Sequence, residues 1–392
     1  MDRPRLRSIQ PHATVINGQR QWVLTDPSRF TEESIVLPGI GMAMASMMDG
    51  TLTRADLQRE INQASGMRFE ISAIDSLIEQ LDEAFLLESP RLLKALDAMT
   101  VRPPFHAGGA YPAERAGLEQ FLSEILSIEA APLTGRRQVG LMAPHIDIQR
   151  GARCYSLAYN ELKDEPPDVD TYIVLGISHA YCRNPYILTR KDFDTPVGLV
   201  ETDRSFVDEL ARGCDFDPFE DEVNHLAEHS VELQAVFLRY LFPGTRIVPV
   251  LCGSFYEPLL KGGAPEDYPG IRSFITTLAS TLASRKGKAM ILSGVDLAHC
   301  GMRFGGERLS PNALADLEKA DTETLQRAVE GDARGFFSTL QADRGERNYC
   351  GTPAIYTMLQ VLEASGRLHG YQQCNEPGLA STVSVAAAGY YR

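Results

Sequence analysis

Four histidines stand where chain punctuation places strand ends or a helix start: His145 in GLMAPHID, His179 in YIVLGISHA, His229 in LAEHSVELQ and His299 in ILSGVDLAHC. Imidazole is the commonest transition-metal ligand, and an open α/β sheet builds its site at the carboxyl ends of its strands. A single histidine is more often a hydrogen-bonded structural residue, but several in equivalent positions point to a metal site. Asp296 lies three residues before His299, and in an extended segment Asp296 and Ala298 share one side while His299 takes the other. One of Asp296 and His299 can then ligate while the other orients the site. His229 opens the segment HSVELQAVFLRYL, where the positive end of a helix favours a neutral imidazole suited to proton transfer rather than ligation.

Other catalytic templates are missing. The sequence has no G-x-x-x-x-G-K-[ST], no H-E-x-x-H and no strand-associated G-x-G-x-x-G. Gly176-Ile177-Ser178-His179 departs from the G-x-S-x-G nucleophile elbow at its last position, which leaves serine hydrolysis with weak support.

Positioning the histidines requires a sheet. From about residue 105 onward, the apolar runs VGLMA, TYIVLG, RIVPVL, AMILSGV and TVSVAAAG alternate with helical patterns such as LEQFLSEIL, FVDELA, VELQAVFLRYL, IRSFITTLASTLA and LADLEKADTETLQRAV. Runs apolar on both faces and spaced by helices predict an α/β fold, a doubly wound and largely parallel sheet covered on both sides.

Residues 1–97 follow a different logic. QRQWVLTDPSRF reads as a strand or hairpin with a turn at Asp26-Pro27-Ser28. MAMASMMDG is a short helix stopped at Gly50, a second helix opens with Thr53 as N-cap, and ISAIDSLIEQLDEAFLLES supplies a third. That order predicts a small winged-helix-like unit. The span Leu92–Pro104 ends in Arg-Pro-Pro, a linker signature, and the main domain is expected over 103–392.

Composition bounds the function. A chain of 392 residues, 44% hydrophobic and 23% charged, is expected to form two domains of ordinary globular character. The formal net charge of -14 argues against nucleic acid or anionic lipid as partners. No apolar run is long enough to span a bilayer and MDRPRLRSIQ lacks the apolar stretch of a signal peptide, so the expected location is the cytoplasm. The seven cysteines are scattered with no C-x-x-C pair, so neither a disulfide framework nor a zinc knuckle is indicated. Most read as small buried hydrophobes, with Cys300 and Cys350 as candidate exceptions.

Two family resemblances follow from these motifs. Residues 10–92 resemble the PqqD-like family on Trp22-Val23-Leu24, Asp26-Pro27, Met48-Asp49-Gly50-Thr51 and the closing Leu81-Asp82 with Leu86-Leu87. That resemblance implies recognition of a precursor peptide or docking of a partner protein; a winged helix that only packs or dimerises is the alternative. Residues 103–392 resemble the Memo-like family, whose fold is shared with class III extradiol dioxygenases that use non-haem iron. The motifs are Gly109-Ala110-Tyr111-Pro112, Ala143-Pro144-His145, Gly176-Ile177-Ser178-His179, Glu228-His229-Ser230-Val231-Glu232, Asp296-Leu297-Ala298-His299, Cys350-Gly351-Thr352-Pro353 and Ala388-Gly389-Tyr390.

The second resemblance implies a pocket metal held by His145 and His179, with His229 as a proton carrier. The cysteine that eukaryotic relatives carry before the last histidine is here Ala298, which leaves His299 as third ligand and Asp296 beside it. Bacterial relatives often carry a further histidine where this chain has Ala227, with His225 nearby. Iron(II) is the first expectation for the metal, copper the second, and zinc, which would give a hydrolytic or structural site, the third. The function implied is that of a non-haem iron oxidoreductase of dioxygenase type, acting on a ribosomally made peptide presented by the N-terminal domain. A non-catalytic iron- or copper-binding scaffold with a docking N-terminal domain is the alternative.

Overall fold

The computed structural model describes every residue except 132, 133 and 287. The chain divides into two compact units, Met1–Thr100 and Val101–Arg392.

In the first unit, β1 (Gln10–Ile16) and β2 (Gln19–Thr25) form an antiparallel hairpin and β3 (Ile35–Pro38) pairs with β2. The two-residue connection is Asn17-Gly18, with φ of 51° and 75°, the left-handed pair that matches strand twist. Four helices follow: α1 (Gly39–Ser46), α2 (Arg54–Ser65), α3 (Ile71–Glu83) and α4 (Pro90–Ala98). Thr53 caps α2 as its sequence position predicts, its hydroxyl accepting from the Asp56 N–H while the Asp56 carboxylate accepts from Thr53 N–H. The third helix is shorter than its apolar pattern suggests. It stops at Glu83, Phe85 takes φ 57°, and Leu86 and Leu87 turn into the core beside Leu24, Leu57, Ile74 and Leu81. Asp26 gathers the expected turn, accepting from Ser28, Phe30 and Thr31 N–H and pairing with the buried Arg7.

The second unit carries strands β4 (Val101–Arg102), β5 (Gln138–Ala143), β6 (Thr171–Ile177), β7 (Tyr186–Leu188), β8 (Asp192–Phe193), β9 (Glu201–Thr202), β10 (Arg246–Cys252), β11 (Ala289–Gly294), β12 (His299–Gly301), β13 (Ser365–Glu376) and β14 (Ser381–Tyr391). Its α-helices are α5 (Arg115–Leu126), α6 (Ala152–Asp164), α7 (Arg204–Gly213), α8 (His229–Leu241), α9 (Tyr256–Lys261), α10 (Pro269–Ser284), α11 (Pro311–Val329), α12 (Ala333–Ala342) and α13 (Thr352–Leu362). The large sheet runs β12-β14-β5-β11-β6-β10-β7, with β13 added on β14 and β9 on β10. Its centre, β5-β11-β6-β10, is parallel throughout. Side chains of α5, α6 and α8 fill the core on one face, and those of α7 and α10 to α13 fill it on the other. The β5-α6-β6 crossover spans the position taken by β11, so the carboxyl ends of three strands open on one crevice.

The strand read from TVSVAAAG departs from the parallel expectation. β14 is antiparallel to β5 and forms an antiparallel hairpin with β13. All eleven of its residues are buried, because helices cover both faces here too. A doubly apolar run reports coverage, and coverage does not fix strand direction. Among the described residues, no helix is long and apolar enough to cross a membrane.

Candidate metal centre

His145 lies two residues beyond the end of β5, His179 two beyond β6, and Asp296 two beyond β11. The fourth contributor comes from a helix: His229 is the first residue of α8, and Glu228 is its N-cap. Ligand atoms of His145, His179 and His229 all lie within 4.8 Å of one another, the group among the described residues arranged to hold an ion. The ring centroids stand 5.1 Å apart for His145 with each of the other two and 4.9 Å apart for His179 and His229.

Each ring is turned by a partner on its Nδ1. His145 Nδ1 is 2.9 Å from the Gly294 carbonyl, which can only accept, so Nδ1 carries the hydrogen and Nε2 keeps its lone pair. Glu228 serves the other two. Its carboxylate accepts from the backbone N–H of His179, His229 and Ser230 and lies 3.0 Å from His179 Nδ1 and 3.1 Å from His229 Nδ1. One carboxylate thus caps the helix and orients two rings, the outer-shell arrangement that fixes tautomers in metal sites. Asp296 accepts from the N–H of His145 and Ile146, and its other oxygen is 3.7 Å from His145 Nε2. Cys350 Sγ approaches the same Nε2 at 3.5 Å.

The electrostatics separate the rings. Burial drives the His145 pKa down to about 3, so this imidazole stays neutral. Burial would lower His179 as well, but the charge and hydrogen bond of Glu228 outweigh it and raise the ring above 6.5. Burial alone would raise Glu228, yet the two neighbouring imidazoles hold it well below the usual carboxylate range. Burial raises the Cys350 thiol well above its ordinary value.

His299 stands outside the three-ring group. It is five residues past the end of β11 rather than two, because the chain continues extended after Gly294, hydrogen-bonded to Ala143 and Ser384, before His299 opens β12. Its Nδ1 lies 3.1 Å from the Leu297 carbonyl and its ring packs edge-on to Phe304. With Phe304, Cys300 and Arg308 it lines an open cavity of about 460 Å³. Burial lowers its pKa, against the pull of Asp296. The sequence reading gave His299 to the metal and His229 to the proton; the geometry brings His229 to the other two rings. His225 does not join either set, since its buried ring bonds the Ile187 carbonyl at 3.0 Å.

Beneath the site lies a network that sequence reasoning missed. Arg102 and Glu232 are both fully buried and paired at 2.6 Å. Arg102 also donates to the carbonyls of His225 and Glu228, at 2.7 and 2.9 Å, and so supports the turn that carries Glu228 and His229. Glu232 accepts from Tyr111 Oη and from His106 N–H and lies 2.8 Å from His106 Nδ1. Burial would raise Glu232, but the hydrogen bond from His106 and the charge of Arg102 lower it to about 2. The available signal was chemical: Arg102, His106 and Glu232 are polar residues embedded in otherwise apolar or glycine-rich motifs.

Comparison with known proteins places the second unit in a family. The family described as "Memo-like protein" matches residues 102–391. A "MEMO1 family protein" of Aquifex aeolicus is 27% identical over 402 residues, covering 99% of this chain and all of that protein. One from Thermus thermophilus is 25% identical over 350 residues, covering 86% of this chain and 98% of its own length. One from Methanosarcina barkeri is 28% identical over 270 residues, covering 68% of this chain and 88% of its own length. The family match takes in the whole parallel sheet and every residue of the three-histidine site, and the chain belongs to the Memo-like family.

Proposed function

We propose that this chain is a non-haem metal protein whose ion is held by His145, His179 and His229, with iron(II) as the preferred metal and an oxidoreductase reaction of the dioxygenase type. The observation that carries this reading is the convergence of one ligand atom from each of three imidazoles to within 4.8 Å, each ring with its Nδ1 engaged by a partner. Three imidazole nitrogens with the Asp296 carboxylate beside them fit a divalent transition metal, and a donor set of three leaves room for further ligands. When bound, such a metal supplies Lewis acidity and redox chemistry. The residues around it do the rest. Glu228 orients two ligands, Asp296 fixes the turn that bears His145, and His299 faces the cavity with a lowered pKa, suited to moving a proton at Nε2.

Copper is the second metal, favoured by the Cys350 thiol 3.5 Å from His145 Nε2, since thiolate and imidazole together suit copper. The alternative to an enzyme is a metal-binding scaffold, which could hold either iron or copper. Zinc ranks third. Residues 1–97 are assigned to docking: their resemblance to PqqD-like domains supports presentation of a precursor peptide or partner protein. The formal net charge of -14 supports a protein that binds neither nucleic acid nor anionic membrane, and the cytoplasm is its proposed location.

Metal analysis of protein purified without oxygen, followed by oxygen uptake with candidate peptides, tests the reading. Stoichiometric iron and peptide-dependent uptake are expected; copper with no uptake leaves the scaffold, and hydrolysis supported by zinc without oxygen removes both. Removal of residues 1–95 is expected to weaken peptide binding and leave metal content intact.

Acid should release the metal. Protons compete with the ion for each Nε2, and His179, raised above 6.5, is protonated before the neutral His145 as pH falls. Affinity is expected to decline as pH falls through the raised titration range of His179, with a slope near one proton per ion. Calorimetric titration across that range checks this, and a constant affinity down to about pH 5 would rule out His179 as a ligand.

A further inference from the structure

A second buried charge network lies on the opposite side of the centre from Arg102. Asp321, on α11, is fully buried and pairs with Arg347 at 2.9 Å, whose side chain is itself 11% exposed. The other Asp321 oxygen accepts from Ser384 Oγ at 2.5 Å and Tyr371 Oη at 3.0 Å. Ser384 Oγ in turn accepts from Ala298 N–H at 3.0 Å. Arg347 also donates to Thr324 Oγ1 and pairs with Asp343.

These bonds converge on two segments that reach the imidazoles. The Arg347 carbonyl accepts from His299 N–H at 2.8 Å, and Asn348 Nδ2 donates to the His299 carbonyl at 3.3 Å. Three residues past Arg347, Cys350 N–H donates to the Leu297 carbonyl at 3.2 Å, and Gly351 N–H to the Asp296 carbonyl at 3.0 Å. A Cβ on Gly351 would meet that Asp296 oxygen at 2.6 Å, so the two segments are pressed backbone to backbone. The loop pays for this approach: Arg344 and Asn348 sit at φ of 51° and 45°, a conformation that needs support from its surroundings.

We propose that Asp321 and Arg347 are positioning residues that hold Cys350 and His299 against the three-histidine centre. A buried ion pair is a poor way to gain stability, since an apolar pair of similar volume serves as well or better. Here the pair does something an apolar pair cannot. Asp321 fixes Ser384, and through it the Ala298 amide, while Arg347 brings its own backbone carbonyl to the His299 amide, so one carboxylate sets both segments. The inference rests on the reading of the site as a metal centre only for its spectroscopic arm.

Two measurements on the full chain test it. In metal-free protein, alkylation of Cys350 by iodoacetamide is followed by peptide mass spectrometry, with buried Cys154 as internal reference. Arg347→Ala and Asp321→Asn are expected to speed modification at Cys350 by roughly tenfold or more through local opening of the loop, with Cys154 unchanged and Arg347→Lys close to wild type. In cobalt(II)-loaded protein, the same two variants are expected to keep bound cobalt, since its three histidine ligands are untouched, and to shift its visible ligand-field bands as Cys350 withdraws from His145. Unchanged Cys350 reactivity in both variants overturns the proposal, as does equal acceleration at Cys154, which marks a general loss of structure. Wild-type protein that takes up no cobalt defeats the metal reading, and the alkylation result still decides the positioning role.

Discussion

His229→Ala is expected to strip the centre of its metal, whereas His299→Ala is expected to keep it. The two histidines contribute differently because of where their elements end. His229 Nδ1 is fixed by Glu228 and its ring stands 4.9 and 5.1 Å from those of His179 and His145. His299 is carried three residues further from its strand end than the others and faces the cavity. Loss of an outer partner of a ligand lowers metal affinity by about 10- to 100-fold, and loss of a ligand itself costs more. Glu228→Gln should fall in the first range, because one change loosens two rings, and His229→Ala beyond it. Inductively coupled plasma analysis and competition titration with a chelator give the answer. Metal retained in His229→Ala, or lost in His299→Ala, returns His299 to the ligand set.

The largest stability effect is expected at Arg102. Arg102→Ala leaves the Glu232 carboxylate fully buried without its 2.6 Å partner and removes the donors to the His225 and Glu228 carbonyls. Breaking one side of a buried pair costs about 3–5 kcal/mol. At about 2–4 °C per kcal/mol for a unit of this size, the melting temperature of the second unit should fall by on the order of 10 °C. The pH dependence carries a second signature. Glu232 titrates near 2 in the folded state against 4.5 unperturbed, so it contributes stability above 4.5 that is lost as pH falls toward 2. Without Arg102 that contribution shrinks and the variant gains less from raising the pH. Arg102→Met with Glu232→Gln, which leaves no buried charge, should recover much of the loss. A single variant that melts within about 2 °C of wild type would show that water reaches Glu232.

How much of this was legible in the sequence depends on whether the signal was local. The strand ends that bear His145 and His179, and the five apolar runs of the sheet, were readable because burial on both faces leaves an unbroken apolar pattern. The Thr53 cap was readable because its bond is to a residue three positions on. The direction of β14 was not, since pairing partners far apart in sequence decide it. The exchange of His229 and His299 was hidden for a related reason. Counting from a strand end requires knowing where the strand stops, and β11 stops at Gly294 while extended chain runs on. The Asn17-Gly18 hairpin turn was missed, although Asn-Gly is the strongest short-range hairpin signal; the sequence reading named only the turn at Asp26-Pro27-Ser28. Arg102 and Glu232 carried only the weak signal of charges set in apolar motifs, and Asp321, within the charged run LADLEKADTETLQRAV, looks like a surface residue until packing shows it buried.

The short strand β4 bears on how this protein can be cut. Val101 and Arg102 pair with Asp192 and Phe193 of β8, so the second unit begins with a strand already woven into it. The side chain that supports the turn bearing Glu228 and His229 is therefore the second residue of the unit, at a terminus where trimming is usually tolerated. A shortened gene has to start upstream of Val101, because a start a few codons later yields a chain with all three candidate ligands present and no pillar beneath the turn that carries His229.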